Sequence, residues 1–308
     1  MRNTFANEIL RLAKERKDIV LLSGDIGNRM FDKFKEFDSN RFLNCGIAEA
    51  NMMSIASGMA LTGLRPIIYT ITPFTTSRCF EQIKIGAAYH NANIVIVGTG
   101  SGLSYSELGP THHSLEDIGI LSTLPGIRIL APCDSLELSS QLEECISLEG
   151  PTYIRIGKKG EPNLNSLKTK SRIGRSNILK DGEDILLLGI GPILNEALKA
   201  SEKLKKMHNI NLCVVSMGGV EPLDEEFLLK MISKNYSCWV TLEEHGIHGG
   251  LGARINNWLS KKKFLKDFNV INIHTPNEFI HNLGNQSFVR ESLGLDSNGI
   301  LSQIISHV

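Results

Sequence analysis

Short, unbroken apolar runs alternate along the chain with stretches of helical period. The runs lie at residues 18–22, 66–71, 93–97, 127–131 and 152–156, then at 184–189, 211–215, 237–242 and 269–273. Strands that are apolar along their whole length are buried on both faces, as in parallel sheets. Between them, residues 48–61, 77–90, 135–146, 193–206 and 250–260 carry helical patterning. The first 18 residues form an amphipathic helix with Phe5, Ile9, Leu12 and Ala13 on or near one face. Alternation of this kind means βαβ units and an α/β fold of parallel sheets. A polar, Lys-, Ser- and Asn-rich stretch after Gly157 breaks the pattern and reads as a linker with room for a short hairpin. The expected organisation is one domain over 1–165, a linker over 166–183 and a second domain over 184–308. Asp134 and Ser135 stand before LELSSQL, where either can cap the free amides of a helix.

The chain is long enough for two packed cores: 308 residues at roughly 150 per domain, 42% of them hydrophobic. Lys plus Arg total 33 and Asp plus Glu total 33. That balance gives no long-range attraction to nucleic acid or to anionic membrane, and fits a small-molecule enzyme or a subunit of an assembly. Cys45, Cys79, Cys133, Cys145, Cys213 and Cys238 form no CxxC pair, so they read as reduced thiols rather than a metal or redox site. The amino-terminal segment lacks the apolar stretch of a signal peptide. These features place the chain in the cytoplasm.

The most informative segment is 41–58, RFLNCGIAEANMMSIASG. Glu49 opens a helix of small and apolar residues. Partial burial there favours the protonated carboxyl, which can donate a hydrogen bond, while the helix N-terminus favours the ionised form. Taken alone, a glutamate in a first turn also fits simple complementation of the helix dipole. The loop GTGSGLSYSELGPTHH, 98–113, is glycine-rich after a strand, but it lacks dinucleotide-fingerprint spacing and no helix follows at once. Gly189, Gly191 and Pro192 likewise lack a third glycine. Glu243, Glu244, His245 and His248 are separated and followed by glycines, which argues for a loop rather than a rigid metal-ligand face. No metal site is therefore assigned to this chain.

The run R-x-x-x-x-G-I-A-E, with a small-residue helix after it, resembles the pyrimidine-binding domain of transketolases and deoxyxylulose-phosphate synthases. Later features occur in the same order: F-x-x-x-R-x-F-E-Q-I from Phe74, G-P-T-H ending at His112, P-x-D at Pro132, Y-I-R at Tyr153, and E-E-H-x-x-x-G-G-L-G from Glu243. Their joint order is far more specific than any single motif. The resemblance implies a thiamine-diphosphate pyrimidine-binding domain followed by a transketolase C-terminal-like domain. It implies that Glu49 bonds a ring nitrogen of the cofactor's aminopyrimidine and so promotes proton loss from the thiazolium carbon. Phe74 matches the aromatic that stacks on that ring. Ile71 stands where the family often has another aromatic, and can pack but not stack. Phe80 reads as core. Asp25 matches a position at the subunit junction. His112 matches the histidine that contacts the sugar, with His113 beside it. Arg155 matches an arginine that binds substrate phosphate, although a structural salt bridge at a strand end is also open.

Two departures stand out. The acidic residue usual four places before the histidine is Leu108, and an upstream histidine falls at about Gly100. Losing such hydrogen-bonding groups changes discrimination strongly, which points to a deoxy or otherwise modified sugar. The resemblance also marks an absence. Transketolases hold the diphosphate through a divalent ion at a Gly-Asp-Gly…Asn signature, and the nearest string here, SGDIGN from Ser23, has Ile26 in the wrong place. The expectation is a split enzyme: a partner subunit carries Mg2+ or a similar ion with the diphosphate, in a heterotetramer of two copies of each chain. The beta subunit of a 2-oxoacid dehydrogenase shares this layout and is the nearest alternative. A non-catalytic assembly or nucleotide-binding protein is the alternative of another class.

Overall fold

A computed structural model describes residues 1–27, 29–165, 170–263 and 269–307. Twelve strands are assigned among them: β1 (Ile19–Ser23), β2 (Phe42–Asn44), β3 (Arg65–Ile71), β4 (Val95–Thr99), β5 (Arg128–Leu130), β6 (Thr152–Ile156), β7 (Asn177–Lys180), β8 (Ile185–Gly189), β9 (Leu212–Ser216), β10 (Gly219–Glu221), β11 (Cys238–Gly246) and β12 (Val270–Thr275). Seven form one sheet in the order β10-β5-β6-β4-β3-β1-β2, and five form a second in the order β12-β11-β8-β9-β7. Both sheets are parallel except for one antiparallel edge each, β10 on β5 and β7 on β9. The central strands β1, β4, β6, β8 and β9 are buried at every position, as their uninterrupted apolar runs require.

The longest helices are α1 (Arg2–Glu15), α2 (Glu49–Leu61), α3 (Ser135–Cys145), α4 (Leu194–His208), α5 (Leu251–Lys261) and α6 (Ser297–Ile305). In α1, Phe5, Ile9, Leu12 and Ala13 face the core, as the periodicity predicts. Asp134 is the cap of α3. One of its oxygens accepts from the Glu137 amide at 2.8 Å; the other accepts from the amides of Leu164 and Asn165 at 2.7 and 2.6 Å.

The division of the chain is less clean than its composition suggests. The stretch read as linker, 166–183, includes β7, an edge strand of the second sheet; residues 166–169 lie outside the described residues. The strand β10, from beyond the second domain's third strand, crosses back to extend the first sheet. Glu137 fastens the crossing: its carboxylate accepts from the Ser216 hydroxyl at 2.9 Å and the Asn177 amide at 3.0 Å. Residues 77–90 are not one helix but a 3-10 turn (Ser77–Cys79), a short α turn (Phe80–Gln82) and a π-helical segment (Ile83–Tyr89). Gly86 lets this segment lie against α2, because a Cβ there would sit 2.2 Å from the Ser57 hydroxyl.

Candidate active site

The first sheet reverses direction at β1: the chain goes to β2 on one side and returns to β3 on the other. In open α/β sheets, ligands bind at such a switch point, outside the carboxyl ends of the strands. Gly24 follows β1, Glu49 follows β2, Phe74 follows β3, and the loop to His112 follows β4. Topology alone therefore gathers the motif residues at one edge.

Glu49 is the first residue of α2. Its side chain is 2% exposed, on the same face as Met52, Met53, Ala56 and Ser57. Gly24 makes room for it: a Cβ there would stand 3.1 Å from the Thr70 hydroxyl and 3.4 Å from Cγ of Glu49. Asp25 is exposed, with a left-handed φ of 57°, and accepts from the Asn44 side-chain amide at 2.9 Å. Asn44 in turn accepts from the Gly46 amide at 3.0 Å, so Asp25 braces the loop that leads into Glu49.

Phe74 lies in a helical turn (Thr72–Thr75) directly after β3, for which Ile71 is the half-buried N-cap. The turn is pinned from inside. Thr72 donates to the Thr99 carbonyl at 3.1 Å, Thr76 to the Thr72 carbonyl at 2.7 Å, and the Cys79 thiol to the Phe74 carbonyl at 3.1 Å. Burial, with Glu49 nearby, pushes that thiol up to about 12, so it remains a donor. Phe80 is half-buried and packs against the core. The guanidinium of Arg78 lies 4.1 Å from the Phe74 ring centre, and its Nη1 meets Oε2 of Glu49 at 2.6 Å. Arg78 carries no assigned role in the F-x-x-x-R motif; its four-residue spacing from Phe74 is the signal that could have found it.

The His112 ring also meets Phe74, with ring centroids 5.2 Å apart at 72°. Its Nδ1 is 2.9 Å from the Thr111 hydroxyl, and partial burial lowers its affinity for a proton. The loop is shaped by Gly109, whose φ of 75° and ψ of −166° only glycine adopts easily. Tyr105 edges His112 at 6.1 Å, and Lys158 lies 4.7 Å from the Tyr105 ring. Gly100 has φ 87°, and a Cβ there would lie 2.2 Å from the Tyr105 ring. The place of the upstream family histidine is thus filled by an aromatic ring.

Two residues expected at the substrate turn into the fold. His113 is 4% exposed, and its Nε2 approaches the Ser106 carbonyl at 3.3 Å. It lines a cavity of about 340 Å³ against Pro276, Phe279 and Ile280 of the second domain, whose lining includes neither Glu49 nor Phe74. Arg155 is 4% exposed and pairs with Asp117 at 2.9 Å. It also donates to the carbonyls of Ser114 at 2.9 Å and Glu244 at 3.3 Å. Burial opposes its charge, but Asp117 and other nearby acidic groups outweigh that and raise its proton affinity. This geometry is that of the internal salt bridge at a strand end. Both ring nitrogens of His245 are used within the fold, by the Gly119 amide at 3.2 Å and the Gly246 carbonyl at 2.8 Å.

A buried carboxyl linked through Arg78 to an aromatic ring, at the mouth of a doubly wound sheet, is the arrangement of an α/β ligand-binding site. The family comparisons agree with that class. Residues 1–161 match the model "Transketolase, pyrimidine binding domain", and residues 174–300 match "Transketolase, C-terminal domain". The chain belongs to the transketolase family of thiamine-diphosphate-dependent enzymes. It is 31% identical to one subunit of the apulose-4-phosphate transketolase of Phocaeicola vulgatus, covering 100% of this chain and 97% of that protein. It is 31% identical to "6-deoxy-6-sulfo-D-fructose transketolase subunit SqwH" of Clostridium sp., covering 82% of this chain and 78% of that one. A solved structure described as "Split gene transketolase, inactive beta4 tetramer" superposes with a TM-score of 0.88 at 28% identity, covering 99% of this chain and 97% of its own.

Proposed function

We propose that this chain is the pyrimidine-binding subunit of a two-chain transketolase. It transfers a two-carbon ketol unit between sugar or sugar-phosphate substrates and works only with a partner chain that holds the diphosphate and its divalent ion. The observation that carries the reading is Glu49, 2% exposed at the start of α2, with Arg78 bridging it to the Phe74 ring. A buried carboxyl there suits one hydrogen bond to a ring nitrogen, and Phe74 supplies the flat wall. When bound, thiamine diphosphate supplies the electron sink for breaking and forming the carbon–carbon bond.

The chain's own residues divide the remaining work. Glu49 sets the ring's orientation and protonation. His112, whose ring lies 5.2 Å from that of Phe74, is the group we assign to hydrogen-bond a substrate hydroxyl, and partial burial lowers its affinity for a proton. Leu108, half-exposed four residues before His112, and Tyr105 over Gly100 replace polar groups with apolar or aromatic surface. That favours a substrate with fewer or altered hydroxyls, and two relatives are named for apulose 4-phosphate and for a 6-sulfo sugar. Support for the partner comes from those names, which are both of subunits, and from the surface. Ile47, two residues before Glu49, is 79% exposed. A large apolar side chain left open beside the site suits cover by another chain. A heterotetramer of two copies of each chain is the expected assembly.

The test is reconstitution. The chain, combined with its diphosphate-binding partner, thiamine diphosphate and Mg2+, is expected to transfer ketol units, and neither chain alone is. A complex that decarboxylates 2-oxoacids instead refutes the reading.

A further inference from the structure

Arg78 makes the two contacts that an incoming aminopyrimidine needs. Its planar guanidinium lies 4.1 Å from the Phe74 ring centre, a stacking distance, and donates to Glu49 at 2.6 Å. A flat ring with a nitrogen facing Glu49 would draw on the same aromatic ring and the same carboxyl, and so would compete with Arg78 for both. We propose that Arg78 stands in the pyrimidine slot of the cofactor-free chain, and that cofactor entry requires it to swing away from Glu49 and Phe74. Arg78 is then a stand-in that fills the slot until the ring arrives. This rests on the function proposed above.

The exposures of the two partners agree with which of them moves. Glu49 is 2% exposed and fixed at the start of α2, whereas Arg78 is 42% exposed and can withdraw along its flexible stem. The pair also explains how a buried acid is tolerated before the ring binds. An unpaired ionised carboxyl at that depth is costly, and the guanidinium offsets the cost. Held in that pair, Glu49 has Oε2 occupied, and departure of Arg78 frees that oxygen for the ring. The shelf is held in shape by the Cys79 and Thr76 hydrogen bonds, which do not involve Arg78, so the slot survives its departure.

The experiment is thiamine diphosphate binding to the assembled two-chain complex, measured by calorimetry and stopped-flow fluorescence, for the wild type, Arg78→Met and Arg78→Lys. A site closed most of the time has its apparent affinity reduced by the open fraction. Arg78→Met is expected to bind roughly three- to tenfold more tightly and with a faster association rate. Arg78→Lys keeps the charge without the flat group and is expected between the two. A melting curve and assembly with the partner check that each variant folds. Unchanged or weaker binding in Arg78→Met overturns the proposal, since Arg78 then holds the cofactor or is indifferent to it. Absence of binding in the wild-type complex overturns the functional reading and this inference together; failure of the Arg78 variants alone leaves that reading standing.

Discussion

Replacing Arg155 by methionine removes a guanidinium that is 4% exposed and holds Asp117, itself 1% exposed, at 2.9 Å. Asp117 would keep its 2.6 Å hydrogen bond from Tyr153 but lose its cation. Breaking a buried pair from one side costs about 3–5 kcal/mol, because the remaining charge stays buried and uncompensated. For domains of this size, each kcal/mol moves the melting temperature by about 2–4 °C, so a fall of about 6–20 °C is expected in differential scanning calorimetry. Removing both charges, in Arg155→Met with Asp117→Leu, should cost less than Arg155→Met alone, giving a coupling that a double-mutant cycle reads directly. Steady-state kinetics of the reconstituted enzyme should show no selective rise in KM for a phosphorylated substrate over its unphosphorylated analogue. A melting temperature within about 2 °C of wild type, together with such a selective rise, would refute the structural role and restore Arg155 to the substrate.

Two further outcomes follow from the same geometry. Asp134→Ala removes three backbone hydrogen bonds to one buried carboxylate, including the α3 cap. It should destabilise the chain by about 2 kcal/mol or more in urea unfolding, and a loss below about 0.5 kcal/mol would contradict the assignment. Burial holds His112 and His113 below the ordinary histidine range. The unfolded chain therefore binds protons first as pH falls. The stability these residues contribute is full above about pH 6.5 and is lost as pH drops through their folded values. Melting temperatures at pH 7.5 and 5.5 should differ less in His112→Asn/His113→Gln than in the wild type; an equal drop would contradict it.

What the sequence made legible follows burial. The fully apolar strands announce themselves, and β6 falls where the run at 152–156 places it. The strands β2 and β10 are three residues long, and β10 joins a partner some ninety positions away, so no local pattern marks them. The edge strand β7 hides in polar sequence because it is half-exposed. At 77–90 the helical period is real, but the segment runs through 3-10 and π turns, with Gly86 packed closely on Ser57. In the site, motif order points to Glu49, Phe74 and His112, and the switch point at β1 brings their segments together. Arg78, Tyr105 and Gly24 carry no chemistry on their own; their parts depend on which neighbours the fold presents. His113 and Arg155 show the converse. Position within a motif says nothing of which way a side chain turns, and both turn inward.

The acid at position 49 is the centre of the proposed chemistry, and the most direct measurement is hydrogen–deuterium exchange at the thiazolium carbon of thiamine diphosphate in the reconstituted complex. Glu49→Gln should leave assembly and melting temperature near those of the wild type and slow the exchange by about a hundredfold or more. Exchange at the wild-type rate in a folded Glu49→Gln complex with the cofactor bound would contradict that role.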